Sequence, residues 1–379
     1  MNLYEYETKK LLRDHGIPTP KGEVTSSPRQ ARMLAAELKP PFAIKAQVLV
    51  AGRGKAGGIL FANSPGDVEK AAKKLFKIQV KGVAVQKILI EEKIHLKKEL
   101  YLGVTIDRAK RKYVLITSGR GGVDIESIAE KTPEKIVKPL LDSRTNFEFS
   151  EAKEIAEKIG YNGTRQTVLA DIIYQFVCVG MAYDAELIEI NPLAETEDGG
   201  FVALDARLIM DDNALFRHKE YQEKLFSEGR ERGLAEIEAM KKGLTYVKLE
   251  GNIGVVGNGA GLVMATIDVI QFFGGRPADF MDLGGGAPIE RIAAALKLLL
   301  SDKDVKILLI NILGGITHCD DVARGIVQAK ASMNSKLPFV VRLVGTNEEE
   351  GKRILNEAGF QVLDSMEEAA QLSVKLAEA

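Results

Sequence analysis

From residue 42, FAIKAQV alternates with period two: Phe42, Ile44, Ala46 and Val48 share one face, and Ala43, Lys45 and Gln47 share the other. That spacing predicts a strand delivering Lys45 to a polar face beside a glycine-rich loop. GILFAN (58–63) reads as a second strand, and SPGDVEKAAKKLFK (64–77) as a helix with Ser64 as its cap and Pro65 at its first position. AVQKILIE, ELYLGVTID and YVLITS follow as strands, then helices over roughly 150–159 and 164–182. At the amino end, MNLYEYETKKLL predicts an amphipathic helix capped by Asn2, with Glu5 completing a capping box and Gly16 as its stop. AELIEINPLAE, the turn TEDGG and FVALDARL predict a hairpin. A turn centred near Asp198 sets Asn191 opposite Asp205 and Glu189 opposite Arg207. The first half is thus a mix of helices and antiparallel strands.

The pattern changes after a charged stretch over 217–251, which reads as a solvated helix and a connection. NIGVVGN, ADFMDLG, VKILLINIL, PFVVRLV and QVLD are apolar strand runs, separated by helical patterns at 260–273, 288–300, 320–333, 347–358 and 366–377. Strict alternation of strand and helix predicts a doubly wound parallel sheet, with strands buried on both faces. Its turns GNGAG (257–261), GGG (284–286) and GGIT (314–317) fall at the carboxyl ends of strands, where open α/β sheets bind ligands. The fold class is therefore α/β, with domains expected over 1–240 and 245–379.

Composition narrows the function. The 379 residues are 45% apolar, enough for two or three cores. A net charge of −1 offers no footprint for nucleic acid. No apolar run approaches the ~18 residues of a membrane span. The first helix is no signal peptide, and two cysteines, Cys178 and Cys319, point to a reduced cytoplasm rather than a zinc cage. The 36 glycines exceed the roughly 27 that average usage implies, and the excess sits in loops.

Those loops carry the candidate chemistry. KAQVLVAGRGKAGG (45–58) brings Lys45, Arg53 and Lys55 together with four glycines, but it is no Walker A loop, because Ala56 follows Lys55. GNGAGL is no complete dinucleotide fingerprint either, because Leu262 stands where the last glycine belongs. Its helix still presents an amino end suited to an anion. Asn191 and Asp205, facing each other, suit a hard Mg²⁺ held jointly with phosphates, although turn chemistry is the commoner reason for such a pair. Of His15, His95, His218 and His318, only His318 lies near a proposed site, and no acid or base partner for it is evident.

MNLYEYETKKLL, GRGKAGG, KELYLG, LIEINPL, DDNALFR, LEGNIG, NGAGL, GGGA and GGIT-x-CD together resemble, in order and over essentially the whole chain, the β subunits of succinate–CoA ligases. The resemblance implies an ATP-grasp amino-terminal domain followed by a flavodoxin-like CoA-ligase domain. It assigns Lys45, Gly52, Arg53 and Gly54 to the phosphates of ATP/ADP or GTP/GDP, and Glu91, Ile94 and Glu99 to the base and ribose end. Asn191 and Asp205 become ligands of Mg²⁺, and Glu189 the acid that meets a phosphohistidine. Asn258, Gly315, Ile316 and Thr317 become substrate contacts. The phosphohistidine belongs to an α subunit, so the resemblance implies an αβ or α2β2 hetero-oligomer. His318 stands where many relatives are expected to carry Arg, and Thr317 where an apolar residue is more usual. Arg120 stands where an acid is more usual, and Ala206 where glycine is. The first two lie near the expected acid site and keep malate– and citrate–CoA ligases, which share this architecture, as alternatives.

Overall fold

The structure is a computed structural model that describes residues 1–50, 52–122, 125, 129–130, 132–142, 147–228, 233–333 and 337–378. The chain divides into two compact units, Met1–Glu223 and Lys224–Ala379. Ala51, in the phosphate loop, and 229–232, in the charged connection, lie outside the described residues.

In the first unit a four-stranded antiparallel sheet has the order Gly22–Thr25, Ile88–Glu92, Phe42–Ala46, Ile59–Ala62. The helices Pro28–Ala36 and Pro65–Leu75 cover one face, where Phe42, Ile44, Ala46, Ile88 and Ile90 join Val68, Ala72 and Leu75 in a core. Both helices start as their sequences dictate, from Ser27 and Ser64 caps with proline in the first turn. The alternation predicted for 42–48 holds. It leaves Lys45 on the opposite face, and because Ala43 pairs with Glu91 and Lys45 with Leu89, Lys45 and Glu91 are diagonal neighbours.

A second sheet runs Leu140–Leu141, Lys112–Ser118, Leu96–Asp107, Ala185–Thr196, with Phe201–Ala203 and Ala206–Met210 both paired to the last. The hairpin register is the predicted one: Glu189 faces Arg207, and the Asn191 N–H donates to Asp205 O at 3.1 Å. On its other edge Ala185–Thr196 slips against Leu96–Asp107 between Ile190 and Leu193, one residue too many falling at Asn191–Pro192. Such bulges re-aim side chains beside sites. The first helix differs from expectation. It spans Glu5–Asp14 and is capped from Tyr4, whose N–H donates to Glu7 Oε2 at 3.0 Å. Asn2 instead bridges to Ile209 and donates to Leu49 O. Glu5 is drawn into the interior, which is why it does not cap. Gly16, at φ +82°, does stop the helix.

The second unit is the expected three-layer sandwich. Its parallel strands, taken in chain order as Ile253–Gly257, Asp279–Asp282, Ile307–Gly314, Phe339–Gly345 and Val362–Leu363, lie in the spatial order 2-1-3-4-5. That is the flavodoxin-like order. Strand Ile307–Gly314 shows why it reads as a continuous apolar run. Leu308, Ile310 and Ile312 enter the core under Ile289–Leu300, Cys319–Met333 and Glu348–Glu357, while Ile307 and Leu309 enter the core under Ala260–Phe272 and Met366–Glu378. The charged connection is not a single helix. Lys219–Glu228 and Leu234–Lys241 are separate helices, and Thr245–Lys248 adds an antiparallel edge strand to Asp279–Asp282. Among the described residues no helix is long and apolar enough to cross a membrane.

Candidate functional site

The uncovered face of the four-stranded sheet, the phosphate loop and the hairpin enclose a cleft of about 730 Å³ within the first unit. Lys45, Gly52, Arg53, Gly54, Glu91, Ile94, Glu99, Glu189, Asn191 and Asp205 all line it. Every site residue expected in the first half is thus gathered in one place from elements far apart in sequence.

Its floor is a buried charge cluster. Lys45 Nζ lies 2.9 Å from Glu5 Oε1 and 2.9 Å from Glu91 Oε2, and also donates to Leu204 O. Lys9 Nζ lies 2.9 Å from Glu5 Oε1 and 2.7 Å from both Glu91 oxygens. Arg53 spans Glu5 Oε2 at 2.9 Å and Asp205 Oδ1 at 2.6 Å. Lys9, Lys45 and Arg53 therefore balance Glu5, Glu91 and Asp205. Burial alone would raise the Glu5 carboxyl, but Lys45, Lys9 and Arg53 outweigh it and hold that carboxyl well below the usual range. Burial likewise opposes the charge on Lys45, and Glu5 and Glu91 overcome it, so the ammonium is held more firmly than usual.

The cluster includes one residue expected at the nucleoside end. Glu91 is 1% exposed, and its carboxylate is held by Lys9 and Lys45. The cluster also brings in Glu5 and Lys9, which sequence reasoning missed as site residues. The only signal for them was their i, i+4 spacing on the first helix. Asn191 Oδ1 accepts from Gly122 N at 2.9 Å. Gly122 has φ +72°, a conformation that favours glycine, and a Cβ there would push the Glu99 carboxylate aside. Asn191 and Asp205 are hard oxygen donors set opposite each other, a donor set that fits Mg²⁺ shared with phosphate.

In the second unit three side chains lace the glycine turns together. Asn258 donates to Leu313 O at 2.8 Å and accepts from Leu313 N at 2.9 Å. Asp282 Oδ1 accepts from Gly259 N at 2.6 Å and Gly284 N at 2.8 Å. Thr317 Oγ1 accepts from Gly286 N at 2.9 Å. Thr317 is only 1% exposed, and its hydroxyl ties two turns together. Ile316 is 84% exposed, and Gly315 O accepts from Thr346 Oγ1. His318 has acids nearby after all. Its ring and the carboxylates of Asp320 and Asp321 lie within 4.8 Å of one another, but Arg324 holds both aspartates.

Residues 2–195 match the ATP-grasp domain family and residues 256–376 the CoA-ligase family. A protein of Ignicoccus hospitalis named succinate–CoA ligase [ADP-forming] subunit beta is 47% identical over 100% of both chains. One of the same name from Pyrobaculum aerophilum is 45% identical, and a subunit beta 2 from Archaeoglobus fulgidus 46%, again over 100% of both. The chain belongs to the family of succinate–CoA ligase β subunits. Among solved structures, an ATP citrate lyase from Methanothrix soehngenii superposes with a TM-score of 0.78, covering 99% of each chain at 20% identity. At that identity the likeness shows a shared fold. For this β-subunit chain, then, the cleft lies in the ATP-grasp part and the three laced turns in the CoA-ligase part.

Proposed function

We propose that this chain is the nucleotide-binding β subunit of a succinate–CoA ligase, interconverting succinate, CoA and ATP with succinyl-CoA, ADP and phosphate. ADP is preferred to GDP because the relatives at 45–47% identity carry that name. The observation that carries the reading is the cleft, in which Lys45 and Arg53 stand beside Asp205 with Asn191 across the hairpin.

Lys45 and Arg53 neutralise the β- and γ-phosphates, with Gly52 and Gly54 allowing backbone approach. Ile94 and Glu99 take the nucleoside end. Asn191 and Asp205 hold Mg²⁺, which supplies charge neutralisation at the transferred phosphoryl group. Glu189 orients an incoming phosphoimidazole. Phosphoryl transfer asks of the protein mainly positioning and fixed charge, which a rigid ionic floor supplies. Asn258, Asp282 and Thr317 hold the turns of the CoA-ligase part in register, and the backbone around Gly315 and Ile316 meets the acyl end. The phosphohistidine comes from an α subunit, in an αβ or α2β2 assembly, and the free thiols of Cys178 and Cys319 suit a cytoplasmic location.

The chain purified with its partner subunit is given CoA, Mg·ATP or Mg·GTP, and succinate, malate or citrate. Succinyl-CoA formed fastest with ATP supports the reading. Preference for malate or citrate transfers the assignment to that acid, and no thioester with any acid removes it.

A further inference from the structure

The two proposed metal ligands are not equivalent. Asp205 is the most exposed member of the charge cluster, its side chain 36% exposed, whereas Lys9, Lys45, Glu5, Glu91 and Arg53 are 10% exposed or less. Yet its Oδ1 is already held by Arg53 at 2.6 Å. Arg53 is fixed from behind by Glu5 Oε2 at 2.9 Å and by Ala46 O at 3.3 Å. Its own backbone O accepts from Gly58 N, and Gly58 O in turn accepts from Ala46 N. The guanidinium thus reaches the cleft from an anchored loop, and its outward hand rests on the carboxylate assigned to the metal.

We infer that Arg53 is the resident counter-cation of Asp205 and guards it, so that divalent metal enters only together with a polyphosphate. The inference rests on the reading of Asp205 as a metal ligand. A bare divalent cation meets a carboxylate already neutralised and must displace a charge-assisted bond while facing Lys45 and Lys9 as well. A polyphosphate changes that balance. It offers a pair of charged oxygens that the planar guanidinium can hold bidentately, and Asp205 is released. Metal and polyphosphate therefore strengthen each other's binding by the same factor, as linkage requires. Lys45 cannot serve in this way, because Glu5, Glu91 and Leu204 O already hold its ammonium.

Mn²⁺ binding to the full-length chain, followed by paramagnetic resonance with and without ADP, tests this without any assay of turnover. Wild type is expected to bind Mn²⁺ weakly alone and much more tightly with ADP. Arg53→Gln is expected to bind Mn²⁺ alone about tenfold tighter than wild type, with the ADP-dependent gain correspondingly reduced. Arg53→Lys keeps a charge and should stay near wild type, and Arg53→Gln combined with Asp205→Asn should lose the gain. An Arg53→Gln protein that melts normally yet binds Mn²⁺ alone no better than wild type overturns the inference. So does a wild type that binds Mn²⁺ equally with and without ADP, which needs no variant to fold. Wild type that binds no Mn²⁺ even with ADP overturns the metal assignment itself, and the guard with it.

Discussion

Lys9 is 1% exposed and takes no part in the cleft wall, yet it holds both carboxylates that hold Lys45. Lys9→Met leaves Glu5 and Glu91 with surplus buried charge. Breaking a buried ion pair from one side costs about 3–5 kcal/mol, so the urea midpoint of the variant should fall clearly. Glu5 gives the matching pH dependence. Its folded carboxyl titrates well below the ordinary glutamate value of ~4.3, so its contribution is fully present above that value and is lost as pH falls through the lower folded value. The stability gap between wild type and Glu5→Gln, measured by urea unfolding, should be widest near neutrality and narrow below about pH 4; a gap constant with pH would show that Glu5 does not titrate as an ion-paired acid. Neither role was legible in the sequence beyond a helical i, i+4 pair. Glu91 lies 82 positions from Lys9, and only the packed sheet brings them together. Lys45 and Arg53, by contrast, were legible, because a strand alternation and a glycine loop are local signals.

Among the elements, the hairpin was read correctly because a turn centred on Asp198 sets the pairings from Leu187 to Glu195, and only Ala185, opposite Met210, slips from that register. The bulge at Asn191–Pro192 was not, since it exists only against Leu96–Asp107, a strand whose register no local feature reveals. The parallel sheet was legible in its apolar runs. The edge strand Thr245–Lys248 was hidden because its residues are exposed at three of four positions. The laced turns bear on substrate choice. Thr317→Val removes the acceptor for Gly286 N. It should cost about 1–3 kcal/mol in stability while leaving the succinate-to-malate ratio of kcat/KM unchanged. Strand Asp279–Asp282 carries a second titratable device. Burial pushes the Asp279 carboxyl up to about 8, against the Val255 N–H and the Lys248 charge that favour its ionised form. The folded state therefore keeps a proton that the unfolded chain loses near pH ~3.9, and stability falls as pH rises from there to about 8. Asp279→Asn removes that slope, so thermal melts should show the variant gaining on wild type between pH 5 and pH 8.

At the scale of the whole molecule the chain holds half of a reaction. The ATP-grasp unit has the charge to hold a nucleotide and the CoA-ligase unit a rim of three laced turns, but a phosphoryl group passing between acyl and nucleotide chemistry needs a covalent carrier. Four histidines are present, and no histidine lines the cleft. His15 Nδ1 bonds Leu11 O at 2.8 Å and its ring meets Tyr183 edge-on. His218 bonds Asp184 at 2.8 Å and stacks on the same Tyr183. Both are packing residues. His318 stands beside acids that Arg324 holds, with no general base freed to activate it. Glu189 lies opposite Arg207 in the cleft that Asn191 and Asp205 also line, and on the proposed reading it orients an incoming imidazole rather than carrying the group. On the proposed reading the carrier arrives on another protein, and the isolated chain should bind Mg·ADP while neither retaining phosphate from ATP nor forming a CoA thioester. Incubating the chain alone with γ-labelled ATP should leave no acid-labile label, and adding the partner subunit should produce one on the partner. Stoichiometric label on His318 of this chain would reverse the assignment and make that residue the nucleophile.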